Sequence, residues 1–318
     1  MTSRPGPSAV ERGPDRPRLA DLVELVRAPA ALSVPGDVLA GAAAAGRVGP
    51  AAAGLAGASV LLYWAGMAAN DWADRRLDAR ERPERPIPSG RVSAGTALGL
   101  SVGLTAAGLA VAGLAGGRRA LAVAAPLAAT VWAYDLAAKN TAAGPAVMAA
   151  CRGLDVLLGA TPGRPARAVP AAITVAAHTW TVTALSRREV AGADRRLPLV
   201  TLAGTAAVAA AAARPGGPAR AARRSSWPTD RSTGPVGWST VLPVALAGWY
   251  AAQYGAAQAR VAAEPVASRV RAAVGAGITG LPALQGALVA RAGAGLLGLA
   301  VAAAAPLGRR LARKISPT

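Results

Sequence analysis

The chain has 318 residues, of which 53% are hydrophobic and 16% charged, and its mean hydropathy is +0.34. Lys and Arg outnumber Asp and Glu by 35 to 16, a net charge of +19, yet Phe is absent and only 3% of residues are aromatic. Base-stacking platforms are therefore scarce, so the excess charge reads as anchoring to anionic membrane surfaces and not as a nucleic-acid footprint. The single cysteine, Cys151, excludes an intramolecular disulfide framework and a cysteine-based zinc site.

In chain order, the first 18 residues are rich in Pro and Arg, lack the apolar core of a signal peptide, and predict a disordered cytoplasmic tail. Residues 19–310 then read as one transmembrane domain, with helices expected at about 22–45, 51–69, 96–115, 119–137, 144–160, 169–186, 197–213, 238–258 and 281–306. Ala51–Ala69, Thr96–Gly117, Ser232–Ala259 and Ala272–Ala290 contain no charged residue, and Ala168–Ser186 contains only a histidine. A span needs about 20 apolar residues. A soluble helix would show a polar stripe that these windows lack. The predicted fold class is an all-α membrane protein. The stretch 214–237 reads as a flexible extracytoplasmic loop and 311–318 as a C-terminal tail. Lys and Arg are modestly more numerous on the side that holds the N-terminus, which places that side in the cytoplasm of a multi-pass cell-membrane protein.

One segment breaks the apolar pattern. Asn70–Arg91, NDWADRRLDARERPERPIPSGR, holds five acidic residues interleaved with six arginines. Asn70, Asp74 and Asp78 recur at i, i+4 and i+8, with Asp71 one position inside that series, so a helix gathers them on one side over two turns. Like charges so placed repel, and a divalent cation removes the penalty. Mg²⁺ takes oxygen ligands and is usually shared between a few carboxylates and substrate phosphates. The spacing therefore predicts a Mg²⁺–diphosphate site at the membrane surface. The competing reading is a solvated run in which Asp and Arg merely pair.

These residues resemble the UbiA superfamily of intramembrane prenyltransferases. NDWADRRLD is similar to its first signature, N-D-x-x-D-x-x-x-D, and RPERPIPSGR to the segment that follows it. VRAPAALSVPGDVLAG (26–41) looks like the family's first helix and YDLAAKN (134–140) like its Y-[D/S]-x-x-x-K segment, while LSRREVAGADRRLPL (185–199) occupies the place of its second acidic motif. More narrowly, MAACRGLDVLLGA, SRREVAG and the terminal SPT resemble an actinobacterial branch of EboC-type proteins.

The resemblance implies about nine transmembrane helices around a central cavity, with both acidic motifs at a cytoplasmic mouth. It implies transfer of a prenyl group from an isoprenyl diphosphate to a small, often aromatic acceptor with Mg²⁺, and no obligate protein partner is inferred. Asn70, Asp74 and Asp78 are the expected ligands of the first metal. Lys139, Arg82 and Arg152 are expected against the diphosphate, and Asp71, Tyr134 and Lys139 are the expected catalytic residues, the Tyr134 ring facing the developing carbocation. The second motif departs from the usual Asp pair. Glu189 stands for the first Asp, Ala193 falls on the second position, and Asp194 follows one residue late, so Glu189 and Asp194 are the expected but altered ligands of a second Mg²⁺. That departure motivates the alternative of a non-catalytic isoprenoid-binding or scaffold protein.

Other polar residues admit two readings. Arg152 and Asp155, at i, i+3 in helix five, are either functional or a pair satisfying each other. Asp37 is expected to cap a broken helix in preference to lining the cavity, and Arg27 to anchor at the interface. His178 is expected satisfied inside helix six, and the tryptophans at 64, 132, 180, 227, 238 and 249 as interface belts or packing in preference to cation cages.

Overall fold

In a computed structural model, residues 17–214 and 238–304 are described, and among them the chain is helical without strands. The tails and most of the 214–237 segment lie outside these residues. The elements are α1 (Leu19–Leu25), a 3-10 segment (Ala28–Ser33), α2 (Pro35–Ala44), α3 (Pro50–Glu81), α4 (Ala94–Ala133) and a π turn (Tyr134–Ala138). They continue with α5 (Gly144–Ala160), a 3-10 turn (Pro165–Ala168), α6 (Val169–Ser186), α7 (Arg196–Ala213), α8 (Trp238–Ala263), α9 (Ala267–Arg291) and a short α10 (Gly295–Ala304). Five of these segments are long and apolar enough to cross a membrane, and together with their composition they make the chain an integral membrane protein.

The expected helices are met in outline and corrected in detail. The predicted helix 22–45 is three pieces, because Pro29 and Pro35 each start a new turn where their missing N–H costs nothing. The second helix does not stop at Ala69 but runs on through the first half of the acidic segment to Glu81. The predicted third and fourth helices are the two arms of α4, which folds back at Gly117 (φ 64°, ψ −157°). Only glycine occupies that backbone region readily. The hydrogen bond from Trp132 Nε1 to Thr105 Oγ1, 3.1 Å across the arms, closes the hairpin. The predicted helix 281–306 is instead α9, which begins at Ala267, and α10, joined by a turn at Gly293 (φ 94°).

Helices come together where side chains are small. An added Cβ at Gly41 of α2 would lie 1.8 Å from the Val156 carbonyl oxygen of α5, and one at Gly159 of α5 would lie 2.0 Å from that of Val38. The two backbones touch at this crossing, as small residues permit within membranes. Two large clusters make up most of the core, beside two small ones. One is built on α6 to α9 around Tyr250, Tyr254 and Leu284, and the other on α3, α4 and α5 around Leu55, Leu62 and Leu158. His178 is buried in the first, with Nδ1 2.8 Å from the Tyr250 hydroxyl, as expected for a satisfied core histidine. Large apolar side chains such as Val102, Ile173, Val241 and Ile278 are exposed on the outside, where a bilayer would cover them.

Candidate active site

Asn70, Asp71, Asp74 and Asp78 occupy the last three turns of α3. Opposite them the α4 hairpin ends in a π turn, closed by the bond from the Lys139 N–H to the Tyr134 carbonyl five residues back. The extra residue of this turn sets Asp135 and Lys139 against α3. Asn70 Nδ2 donates to Asp135 Oδ1 at 3.0 Å, and Lys139 Nζ lies 2.6 Å from Asp74 Oδ1. Residues four apart on one element thus meet residues four apart on the other, forming two polar rungs.

The arginines form a second layer behind the rungs. Arg85, from the RPERPIPSGR loop, donates from one Nη1 to Asp78 Oδ2 at 2.7 Å and reaches Asp71 Oδ1 at 3.4 Å. Arg27 Nη2 donates to the same Asp71 oxygen at 2.9 Å, and Nη1 lies 3.8 Å from Met67 Sδ. Arg27 holds a left-handed backbone (φ 48°, ψ 49°), uncommon outside glycine and asparagine, at the break between α1 and the 3-10 segment. It does not simply anchor at the interface: it enters the bundle. Arg82 is only 3.7 Å from Asp78, with its side chain 53% exposed. The loop is tied down by Arg91, which bridges Asp21 and Glu24 of α1 and the Glu84 carbonyl. That contact holds the Asp21 carboxyl below the usual range.

Below the rungs lies a cavity of about 270 Å³ between α3, α4 and α5. Its outer end is lined by Arg27, Asn70, Tyr134 and Asp135, its middle by apolar groups such as Leu62, Leu127 and Val131, and its inner end by Ser59, Arg152 and Asp155. Tyr134, the first residue of the π turn, lines this cavity.

Other expectations are redirected. Arg152 and Asp155 do not pair with each other. Arg152 Nε lies 2.8 Å from Asp37 Oδ2, and Asp155 Oδ1 accepts from Ser59 Oγ at 2.5 Å. Asp37 does not cap α2; it is fully buried and takes a 2.6 Å bond from Gln285 Nε2 of α9. Arg152 is therefore deep in the bundle, away from the outer rungs. Asp78 is spent on Arg85, not turned toward Asn70 and Asp74.

In the second motif, Asp194 Oδ1 accepts from the Arg196 and Leu197 N–H groups at 2.9 Å each, capping the start of α7 and keeping its carboxyl below the ordinary range. Glu189 is pushed up by partial burial, and its carbonyl accepts from Arg271 of α9. Arg187, from the same segment, donates to the Thr141 carbonyl beside Lys139. Among the described residues no three His, Cys, Asp or Glu side chains converge as a metal cage. Asp135 and Arg85, which the sequence reading passed over, and Arg27, which it placed at the interface, also belong to the polar cluster at the end of α3. Asp135 carried a signal, because Asp135 and Lys139 repeat the four-residue spacing of Asn70 and Asp74.

Residues 34–273 match the UbiA prenyltransferase family along their length. The chain belongs to that family. Curated relatives include a digeranylgeranylglyceryl phosphate synthase of Ignicoccus hospitalis, 40% identical over 124 residues, which are 39% of this chain and 41% of that protein. The protein of the same name from Methanothrix thermoacetophila is 53% identical over 57 residues, 18% of this chain and 21% of that one. The matched region thus spans well under half the length of these relatives. Among solved structures, one described as giving structural and mechanistic insights into the biosynthesis of digeranylgeranylglyceryl phosphate synthase in membranes superposes with a TM-score of 0.61. It is 15% identical and covers 86% of this chain and 98% of its own. A UbiA homolog from Aeropyrum pernix K1 gives a TM-score of 0.59 at 18% identity, over 82% and 96% of the two chains. At these identities the superpositions establish the UbiA-like fold, and the expected all-helical architecture stands.

Proposed function

We propose that the chain transfers a prenyl group from an isoprenyl diphosphate to a small acceptor at the membrane, with Mg²⁺ assisting release of the diphosphate. The observation that carries this reading is the pair of polar rungs, Asn70–Asp135 and Asp74–Lys139, set over an apolar cavity. In the reaction the allylic C–O bond breaks, its electron pair leaves with the diphosphate, and the acceptor's nucleophilic atom bonds to the prenyl carbon and loses its proton.

The donor set fits a hard cation. Asn70, Asp74 and Asp135 offer only amide and carboxylate oxygens, the ligand type Mg²⁺ prefers, and the Lys139 ammonium already sits as a cation on Asp74. Asn70 and Asp74, with Asp135 beside them, would hold the metal. Asp78 fits less well, because Arg85 occupies it. When bound, Mg²⁺ supplies Lewis-acid stabilisation of the charge that develops on the departing diphosphate.

The remaining roles belong to the chain. Lys139 and Arg27 can donate to diphosphate oxygens, with Arg82 available from the exposed rim. Asp71 positions Arg27 and Arg85. Tyr134 presents an electron-rich ring to the prenyl carbon as positive charge builds. The apolar middle of the cavity takes the isoprenoid chain and keeps water away from the cation. The relatives' name, digeranylgeranylglyceryl phosphate synthase, adds glyceryl phosphate acceptors to the aromatic ones expected from the resemblance.

The test uses purified full-length protein in detergent with isoprenyl diphosphates of graded length and a panel of phenolic and glyceryl phosphate acceptors. Product and released diphosphate are measured with and without Mg²⁺. Asp74→Ala is expected to lower Mg²⁺-dependent release by about 100-fold or more, the scale of losing one preorganised electrostatic group. An unchanged rate in that variant would overturn the reading. Tight diphosphate binding without turnover on any acceptor would instead favour the binding or scaffold alternative, which the diversion of Asp194 to a helix cap supports.

A further inference from the structure

At the end of the bundle away from the rungs, three short turns carry arginines and no acidic residue. Because successive helices run in opposite directions, the turn after α2, the Gly117 tip of α4 and the turn between α5 and α6 meet there. Their backbones touch. The Arg164 N–H donates to the Ala45 carbonyl at 3.3 Å, and a Cβ on Gly163 would lie 2.6 Å from the same oxygen. Arg47 Nε donates to the Pro162 carbonyl at 3.4 Å, and a Cβ on Gly116 would lie 3.4 Å from Thr161 Oγ1. The three turns thus form one continuous surface.

Arg47, Arg118, Arg119, Arg164 and Arg167 are all exposed on it, and none forms an ion pair among the described residues. Apart from the buried Asp37 and Asp155, every described Asp and Glu lies toward the opposite end, where Arg27, Arg85 and Arg91 engage several of them. The sequence joining α7 to α8 at the arginine end, 214–237, holds five arginines and one aspartate, so it brings no excess of negative charge. Like charges on adjoining turns repel, and a face of this kind draws anions from outside the chain.

Apolar side chains begin directly beside the charge. Leu114 of α4, just before the Gly117 tip, is 89% exposed, and Val169 and Ile173 of α6, just after Arg167, are 42% and 63% exposed. A free phosphate ion has no use for such neighbours. A phospholipid presents a negative headgroup and a hydrocarbon chain at adjoining depths, the same order in which this face presents guanidinium groups and aliphatic side chains. Arginine also suits phosphate, because its planar fork donates two parallel hydrogen bonds and is weakly hydrated.

We propose that this end of the bundle is a binding face for an anionic phospholipid, whose headgroup is received by Arg118 and Arg119 of the α4 tip and Arg164 and Arg167 of the α5–α6 turn. It uses none of the residues assigned to prenyl transfer and does not rest on that reading.

The test uses delipidated full-length protein in detergent, titrated with phosphatidylglycerol or with phosphatidylcholine, and bound lipid is read by native mass spectrometry. The wild type is expected to prefer phosphatidylglycerol about ten-fold or more, and excess inorganic phosphate is expected not to displace it. Each arginine near an anionic lipid contributes about five-fold in affinity. Arg118→Gln with Arg119→Gln, and Arg164→Gln with Arg167→Gln, are each expected to weaken phosphatidylglycerol binding about 25-fold, and all four together about 100-fold or more. Lysine at the same four positions keeps the charge and is expected to bind within a few-fold of the wild type. The matched control is Arg76→Gln with Arg80→Gln, two exposed arginines of α3 toward the other end, which is expected to change the affinity little. Should the fourfold glutamine variant fail to fold, the two double variants decide.

Equal affinity for the two lipids in the wild type, an undiminished preference in either double variant, or an equal loss in the Arg76 and Arg80 control overturns the proposal. Displacement by inorganic phosphate also overturns it, because the face then binds an ion and not a lipid. Asp74→Ala is expected to leave phosphatidylglycerol affinity unchanged. A loss there would place the lipid at the rungs, whereas failure of prenyl transfer with an intact lipid preference would leave this face standing.

Discussion

Asp78 and Asp71 are motif residues whose carboxylates are taken up by arginines of the chain itself. Both are almost fully buried and share one guanidinium, that of Arg85, whose side chain is 22% exposed. Removing one partner of such a group strands the other charges in a low-dielectric place. Arg85→Ala is accordingly expected to cost about 3–5 kcal/mol, read as a fall in the thermal midpoint in detergent. The double variant Arg85→Met with Asp78→Asn should recover part of that loss, because it leaves fewer uncompensated charges. Asp194 gives a pH signature outside the bundle. Its folded-state carboxyl lies below its ordinary value, so its contribution is present above the unfolded pKa, about 4, and is lost as pH falls through the folded value. Asp194→Ala should lower the thermal midpoint at pH 7, and the gap from wild type should begin to narrow as pH falls below about 4. A gap that stays constant throughout acid titration would show that the cap does not act through its charge. The sequence pointed to these residues because carboxylate spacing is local. It did not say which arginines pair with them, because Arg27 comes from another part of the chain and Arg85 folds back from the loop after α3.

At the scale of elements, two backbone features carry the architecture. The crossing of α2 and α5 brings Gly41 and Gly159 against carbonyl oxygens, not against yielding side chains. Gly159→Ala should therefore reduce the folded fraction recovered by size-exclusion chromatography, and Gly159→Leu should abolish it. The Asp37–Arg152 pair spans the same two helices and would be disturbed with them. Gly117 meets nothing within 4 Å where a Cβ would go, so Gly117→Ala tests conformation alone. Its expected cost is about 1–3 kcal/mol, the range for a residue held in a sparsely populated backbone region. The length of the apolar runs made the cores of α3 to α7 legible. Their ends were not, because α3 keeps its hydrogen bonds through a charged sequence whose arginines and aspartates neutralise one another. The Gly117 reversal was readable as GGRR punctuation. The π turn at Tyr134 was not, since it depends on the tertiary contact with Asn70 and Asp74.

Across the whole molecule, composition alone disclosed a membrane bundle, and the charged break in it disclosed where to look for chemistry. What remained hidden was the division of labour between the bundle's halves. One side, α6 to α9, is packed on buried Tyr250 and Tyr254, and the other, α3 to α5, encloses the cavity. The bond between Asp74 and Lys139 reaches beyond local geometry. At rest the protein acts as its own counter-ion there, and the lysine is engaged until something else satisfies the aspartate. Magnesium and an isoprenyl diphosphate should therefore help each other to bind, because an incoming cation frees the ammonium that the anion needs. Titration calorimetry is expected to show each tightening the other's dissociation constant by the same factor, as reciprocity between coupled ligands requires. In Lys139→Met that mutual gain should shrink, leaving a pocket that takes up its metal without waiting for company.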